Sequence, residues 1–354
     1  RDRLRSRGLG DVYKRQIYIY MKIVAFIVLI ASLSACTVKP TLEMYYSFDT
    51  TDSLLGEKHD IPPVILYPKN IFIRDSFLIV FNEKMDTCFQ VFDKTDFEYK
   101  CTFGSKGEGP DDLILPASQL VSNNHKETIV LDMNRLKKIS FNREHPMISI
   151  LDFSSSQPFY NGLIKLTDSL YICDAGLEEE NEYAFIYPNG ELKKWGDYPE
   201  GIERFGNLLS RNQAYTKIKV AHPSGKYFAA FYTNSRKLRI YDISGNMLHD
   251  IELNILPGEQ EVPLEVENRY IYAIGAYATE NYIYTLNLDM TPQDIYARKH
   301  YPSLQVFSWE GKPLKQYRLN CYISAFTIDE AGRTVYGVFA EDESSIYTFN
   351  LDSL

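Results

Sequence analysis

The feature that most restricts the fold of this chain is a recurring unit of strand, glycine turn and strand. Its clearest copies are LRIYDISGNML (238–248) and LQVFSWEGKPL (304–314), which place an alternating strand, a turn glycine and a second strand at the same offsets. Gly245 and Gly311 stand where a tight β turn demands a positive φ. Weaker copies are FQVFD (89–93) with 97–103, residues 129–141, AFIYPNG (184–190) with 192–195, and 346–351, six units in all. Further strand-like stretches lie between them at 76–81, 169–173, 226–232, 270–274 and 334–339. Each unit therefore holds about four strands in roughly 50 residues, the scale of a propeller blade.

Separate small sheets cannot each bury an apolar face alone, so radial packing around an axis is the economical arrangement. The predicted fold is all-β, a six-bladed β-propeller of four-stranded antiparallel blades. Residue usage agrees: 27 Tyr and 20 Phe suit the pleated surface of a sheet. No window longer than ten residues shows apolar spacing at i, i+3, i+4 and i+7, which predicts almost no helix. The last unit is one strand short, and residues 43–48 are expected to close it as an N-terminal outer strand. A β-sandwich or a pair of all-β domains is the competing architecture. No Pro/Ser/Gly-rich linker divides the chain, which favours one domain over 43–354.

Ahead of that domain, residues 21–36 read MKIVAFIVLIASLSAC, the pattern of a bacterial lipoprotein signal peptide. Lys22 supplies the positive start, and Leu33, Ser34, Ala35 and Cys36 form a lipobox in which the cysteine becomes the acylated N-terminus. The apolar run 23–33 falls short of the ~20 residues that cross a bilayer as a helix. Residues 1–20 are expected to be non-native upstream sequence, the first sixteen resembling translated adapter. On this reading 21–35 is the signal peptide, Cys36 the lipidation site and 36–42 a lipidated tether.

Residues 1–35 carry seven basic and two acidic side chains, so the chain from Cys36 has a net charge near −14 against −9 for the whole. So acidic a surface makes nucleic acid an unsuitable partner. Cys88, Cys101, Cys173 and Cys321 then remain for an oxidising compartment. Cys88 and Cys101 fall in adjacent predicted strands, where a disulfide and two buried thiols are both open. No CxxC or Cys/His cluster supports structural zinc.

The lipobox, the stretch FGSKGEGP (103–110), the repeat 304–314, and FTIDE (326–330) leading to VYG (335–337) together resemble the TolB-like six-bladed β-propeller lipoproteins. The resemblance runs from Cys36 to the C-terminus. It implies a propeller tethered to a membrane by lipid, and no agreed activity.

Chemistry is sparse. The glycine-rich loop after residue 103 could cradle an anion with backbone N–H groups. Its spacing fits neither a phosphate-binding GK[ST] loop nor GxGxxG, because Gly109 is followed by Pro110, Asp111 and Asp112. It reads better as a connection between successive blades, leaving Lys106, Glu108, Asp111 and Asp112 as the named binding candidates on a loop. His59, His125, His145, His222, His249 and His300 are scattered singly, and 222–226 reads as a turn. The acidic run 178–182 lacks the alternation of a calcium loop and reads as a solvated hairpin tip. No GxSxG nucleophile motif occurs.

The expectation is a lipid-anchored cell-envelope module that binds a protein or small ligand without catalysis, metal or cofactor. The site implied is an outer membrane facing the periplasm or the surface. The alternative is an envelope hydrolase or lyase on a carbohydrate or peptide, its site assembled at the propeller mouth. A third reading is a structural envelope component.

Overall fold

The computed structural model describes residues 40–351, apart from 125–126, 143–144, 152, 154–160, 178 and 255–260. The signal, lipidation and upstream segments of the sequence reading, with Cys36, lie outside the described residues. Three short strands come first: β1 (Leu42–Tyr45), β2 (Thr50–Leu54) and β3 (Glu57–Asp60). Six antiparallel sheets follow in chain order. Blade 1 is β4 (Pro68–Arg74), β5 (Phe77–Asn82), β6 (Thr87–Asp93) and β7 (Tyr99–Ser105); blade 2 is β8 (Pro116–Asn124), β9 (Glu127–Asp132), β10 (Arg135–Asn142) and β11 (His145–Ile150). Blade 3 is β12 (Ile164–Thr167), β13 (Leu170–Asp174), β14 (Tyr183–Ile186) and β15 (Leu192–Trp195); blade 4 is β16 (Lys217–Ala221), β17 (Tyr227–Tyr232), β18 (Lys237–Asp242) and β19 (Met247–Leu253). Blade 5 is β20 (Ile271–Ala278), β21 (Tyr282–Met290), β22 (Ser303–Ser308) and β23 (Pro313–Leu319); blade 6 is β24 (Ala325–Asp329), β25 (Thr334–Val338), β26 (Ser345–Asn350) and the returning β3.

Burial explains why middle strands read as apolar runs and outer strands do not. β13 and β14 are buried at every position, because a neighbouring blade covers each face. At the rim, β7 and β15 are largely exposed. Among the described residues six apolar clusters are each shared by two adjacent blades, including one between blades 6 and 1. The innermost strands β4, β8, β12, β16, β20 and β24 also touch in succession around the ring, the last against the first. A closed six-bladed propeller follows.

The predicted hairpins 238–248 and 304–314 are β18–β19 and β22–β23, with Gly245 at φ 89° and Gly311 at φ 80°. Gly311 has a second reason to lack a side chain, since a Cβ there would strike Ile251 of the preceding blade. Residues 129–141 form strands two and three of blade 2 rather than three and four, so this copy of the repeat was read one strand out of phase.

Closure by an N-terminal strand holds, but residues 43–48 do not provide it. β3 pairs antiparallel with β26, Asp60 opposite Ser345. β1 instead lies parallel to the outer strand of blade 4, Leu42 opposite Asp250, and β2 parallel to that of blade 5, Thr50 opposite Lys315. The segment thus sews three blades together from outside. At each crossing it inserts an apolar side chain between blades: Phe48 at 4/5, Leu54 at 5/6 and Ile61 at 6/1. An ion pair or charged hydrogen bond marks each blade: His249–Glu43 at 2.8 Å, Lys315–Asp52 at 3.0 Å and Lys58–Asp342 at 3.2 Å.

Helix is confined to α1 (Leu208–Ala214), α2 (Pro292–Tyr296) and two 3-10 turns among the described residues. Asn207 caps α1 by accepting from the Ser210 N–H, and a Thr291/Asp294 capping box opens α2. Both helices sit in connections between strands.

Candidate functional site: the loop side of the ring

Because strands alternate in direction within each blade, the connections sort onto two sides. Turns between strands one and two, and three and four, share one side; connections between strands two and three, and from blade to blade, share the other. The first side is made of tight polar turns, such as 168–169, 222–226, 243–246 and 309–312. The second carries the long segments 106–115, 196–216, 261–270 and 291–302, with both helices.

Among the connections of the blades, exposed large apolar side chains follow the same division, while the others, such as Leu55 at 77% and Tyr46 at 66%, lie on the N-terminal segment and outer strands. Leu115 is 70% exposed, Leu264 54%, Val266 59% and Tyr296 94%, and all lie on the loop side, with Val64, Met133 and Leu177. No described turn of the opposite side holds an exposed large apolar residue. Scattered exposed apolars need no explanation, but their concentration on one side does.

Lys106, Glu108, Asp111 and Asp112 fall on this loop side, in the connection from β7 to β8 as the sequence suggested. Lys106 is exposed, and its Nζ donates to the Glu83 carbonyl at 2.9 Å. Asp112 is folded back on its own loop, accepting from the Gly109 N–H at 3.0 Å. A Cβ at Gly107 or Gly109 would collide with that carboxylate, which accounts for both glycines. The Gly107 N–H bonds the Leu113 carbonyl at 3.1 Å. Two of the amides needed to cradle an anion are thereby engaged, while Glu108 and Asp111 are exposed to solvent.

The densest charge cluster, which the sequence reading missed, joins blades 3 and 4 beneath the loop side. Lys217 and Lys219 project from β16, Arg239 from β18, Asp174 from the end of β13, and Glu182 precedes β14. Glu182 is fully buried and accepts from Tyr232 Oη at 2.6 Å and Arg239 Nη1 at 3.3 Å, with Lys217 Nζ at 3.1 Å. Lys219 pairs with Asp174, and Arg239 continues to Asp250 at 3.3 Å. Burial alone would lower the Lys217 pKa, but the Glu182 and Asp174 carboxylates outweigh it and hold it above the ordinary lysine value. Burial, followed by the Glu182 charge, pushes the Tyr183 hydroxyl up. Every charge has an opposite partner, so the cluster is an internal brace without a vacant reactive group.

Glu182 also corrects the reading of 178–182 as a solvated tip. Its first residue lies outside the described set, Glu180 is exposed, and Glu179 pairs with Lys194 at 2.5 Å. The alternation of Lys217, Ile218 and Lys219 was the available signal, since cations spaced by two share one face of a strand.

Other candidates resolve structurally. His222 sits in the β16–β17 turn, 8% exposed, accepting from the Ser224 N–H at 3.0 Å and packing 4.7 Å from the Trp309 ring. Its pKa is lowered, chiefly by burial. Cys88, Cys101, Cys173 and Cys321 are free thiols; burial pushes the Cys173 thiol up to about 12, which makes it a poor nucleophile. Among the described residues, no three His, Cys, Asp or Glu side chains converge in a way that would hold a metal ion.

A cleft of about 20 Å³ between blades 4 and 5 is lined by Tyr232, Arg236, Tyr272 and Asp289, room for water rather than an organic substrate. On the axis, Gln119 Nε2 of blade 2 donates to the Lys219 carbonyl of blade 4 at 3.2 Å, bridging the channel past blade 3.

Comparison with known proteins fits this architecture. An exported protein of Bacteroides fragilis NCTC 9343 superposes with a TM-score of 0.51 at 12% identity, covering 88% of this chain and 100% of that one. A member of the duf4221 family from Bacteroides vulgatus ATCC 8482 gives 0.57 at 11% identity, covering 83% and 95%. These likenesses show the fold alone. No curated protein matches the sequence. The model of the TolB-like 6-blade propeller-like family matches residues 51–331, and with six blades closed into a ring this chain belongs to that family.

Proposed function

We propose that this chain is a lipid-anchored cell-envelope module that binds another protein through the loop side of its ring, without catalysis. The observation that carries the reading is the contrast between the sides: tight polar turns on one, long connections bearing exposed Leu115, Leu264, Val266 and Tyr296 on the other. A rigid ring that presents apolar loops on one side has the anatomy of a recognition surface. The buried charges of blades 3 and 4 are spent on each other, which supports binding over chemistry. The Bacteroides fragilis neighbour, named as an exported protein, and the lipobox ending at Cys36 support an envelope location, with the outer membrane as the proposed site.

Two measurements test this. Cys36→Ala is expected to release the chain from membranes, and continued sedimentation with them would refute the anchor. Affinity isolation from detergent-solubilised envelopes is expected to recover a discrete companion with the native chain and lose it with Ile114→Ser/Leu115→Ser. Recovery undiminished by those loop changes, but lost on altering Glu191 and Glu310 of the turn side, would place binding on the wrong side for this account.

A further inference from the structure

Three loop-side connections, 175–177 with 179–182, 196–216 and 261–270, fuse into one cap over blades 3 to 5. Phe205, Ala214, Tyr215, Tyr232 and Val262 form its own small apolar core. Arg204 bonds Glu261 and the Val262 carbonyl, Arg211 lies 3.5 Å from Glu180, and Asn212 Nδ2 donates to the Gly176 carbonyl at 3.4 Å. Arg269 is buried, its Nε donating to the Pro263 carbonyl at 2.9 Å and its Nη2 to the Leu264 carbonyl at 3.0 Å. The cap is therefore a preformed surface, each loop tied to another by side-chain bonds.

Its outer surface combines two properties. Leu177, Leu209, Leu264 and Val266 are each about half exposed, between 47% and 59%. Around them stand exposed Glu180, Glu200, Glu203, Glu261, Glu265 and Glu267. Leu264, Glu265, Val266 and Glu267 are four consecutive exposed residues, apolar alternating with acid. Arg211 and Arg204 offset two of these carboxylates, Glu180 and Glu261, and Arg269 is buried, so the outward acidic charge rests on Glu200, Glu203, Glu265 and Glu267.

We propose that this cap docks a basic polypeptide segment that carries apolar side chains, an inference that rests on the loop side being the binding side. Apolar side chains supply the area to be buried, and the surrounding carboxylates select positive charge and speed encounter. A second copy of this chain fits poorly, since a two-fold contact would set the same acidic patch against itself. An anionic membrane surface is repelled for the same reason.

The test uses the full-length chain in zwitterionic detergent and two fluorescent synthetic peptides of equal length, one of Leu and Lys in amphipathic order and its Leu/Glu twin. The Leu/Lys peptide is expected to bind, more weakly as salt rises, and the twin to fail. Leu264→Ser/Val266→Ser and Glu265→Lys/Glu267→Lys, all at exposed positions, are each expected to weaken binding by about tenfold. Glu191→Lys/Glu310→Lys on the turn side should change nothing. Binding of both peptides alike, a loss with charge reversal but not with loss of the apolar groups, or self-association or anionic-vesicle binding that the cap variants abolish, would overturn the proposal. Binding lost only with Ile114→Ser/Leu115→Ser would overturn the cap and leave the loop side standing; binding lost only with the turn-side pair would overturn both.

Discussion

Replacing Glu182 by Ala should be among the most damaging single changes in the ring, and its cost can be worked from the structure. Glu182 is fully buried and faces Lys217, Arg239 and the Tyr232 hydroxyl. Its removal leaves Lys217, itself only 3.9 Å from Asp174, as a buried cation with a weakened partner. Breaking a buried pair from one side costs about 3–5 kcal/mol, because the remaining charge stays desolvated. That is a large share of the about 5–15 kcal/mol by which folded domains are stable. Urea unfolding of Glu182→Ala should show the loss as a lower midpoint at unchanged slope. Measured beside Glu182→Gln and Lys217→Met alone, the paired change Glu182→Gln/Lys217→Met removes both charges and should recover much of the loss, giving a coupling well away from additivity. A cost below about 1 kcal/mol for Glu182→Ala, or additive behaviour of the pair, would refute the view that this cluster braces blades 3 and 4.

The N-terminal clasp and the acid response give further predictions. Leu54→Ala, which empties a site between blades 5 and 6 where Leu54 is 5% exposed, should cost about 2–4 kcal/mol in the same unfolding assay. Its neighbour Leu55, 77% exposed, should tolerate Ala within about 0.5 kcal/mol. Burial opposes ionisation of Asp342, but donation from Tyr347 Oη, the Ser344 N–H, Lys58 and Ser345 outweighs it and holds the carboxyl at about 2. A carboxyl depressed from the ordinary value of about 4 stabilises the fold fully above that pH and loses its contribution as pH falls toward 2. Asp342→Asn should therefore flatten the stability profile between about pH 4 and pH 2, and an unchanged acid limb would contradict the assignment.

How far the sequence announced this structure depends on which residues make backbone contacts and which make side-chain contacts. Blade hairpins were legible because a glycine at positive φ between alternating strands has few other uses, as at Gly245 and Gly311. The closing strand was misplaced because β3 is EKHD, an exposed edge with no apolar alternation, held by backbone bonds to β26. The parallel additions of β1 and β2 leave no pattern of their own, since only Phe48 and Leu54 between them are buried. Helix α1 escaped because seven residues are too few for a helical period to show. The buried charges were hidden for the opposite reason: Lys217, Lys219, Arg239 and Glu182 look like a solvated face until two blades close over them. Lys106, Glu108, Asp111 and Asp112 do fall on a blade-to-blade connection, but Lys106 and Asp112 are occupied within their own neighbourhood. The cap over blades 3 to 5 could not be anticipated, because its loops are drawn from a span of some 80 residues and meet through Phe205, Tyr215 and Val262 and through the bonds of Arg204, Arg211 and Asn212.

Site-specific photo-cross-linking in intact cells tests the central claim most directly. A photoreactive side chain would be placed at Leu115, Leu264 or Tyr296 on the loop side and at Glu191, Ser244 or Glu310 on the turn side. The account predicts discrete protein adducts of shared mass from the loop-side positions and none from the turn side. Adducts confined to the turn side, or formed equally from both, would contradict it.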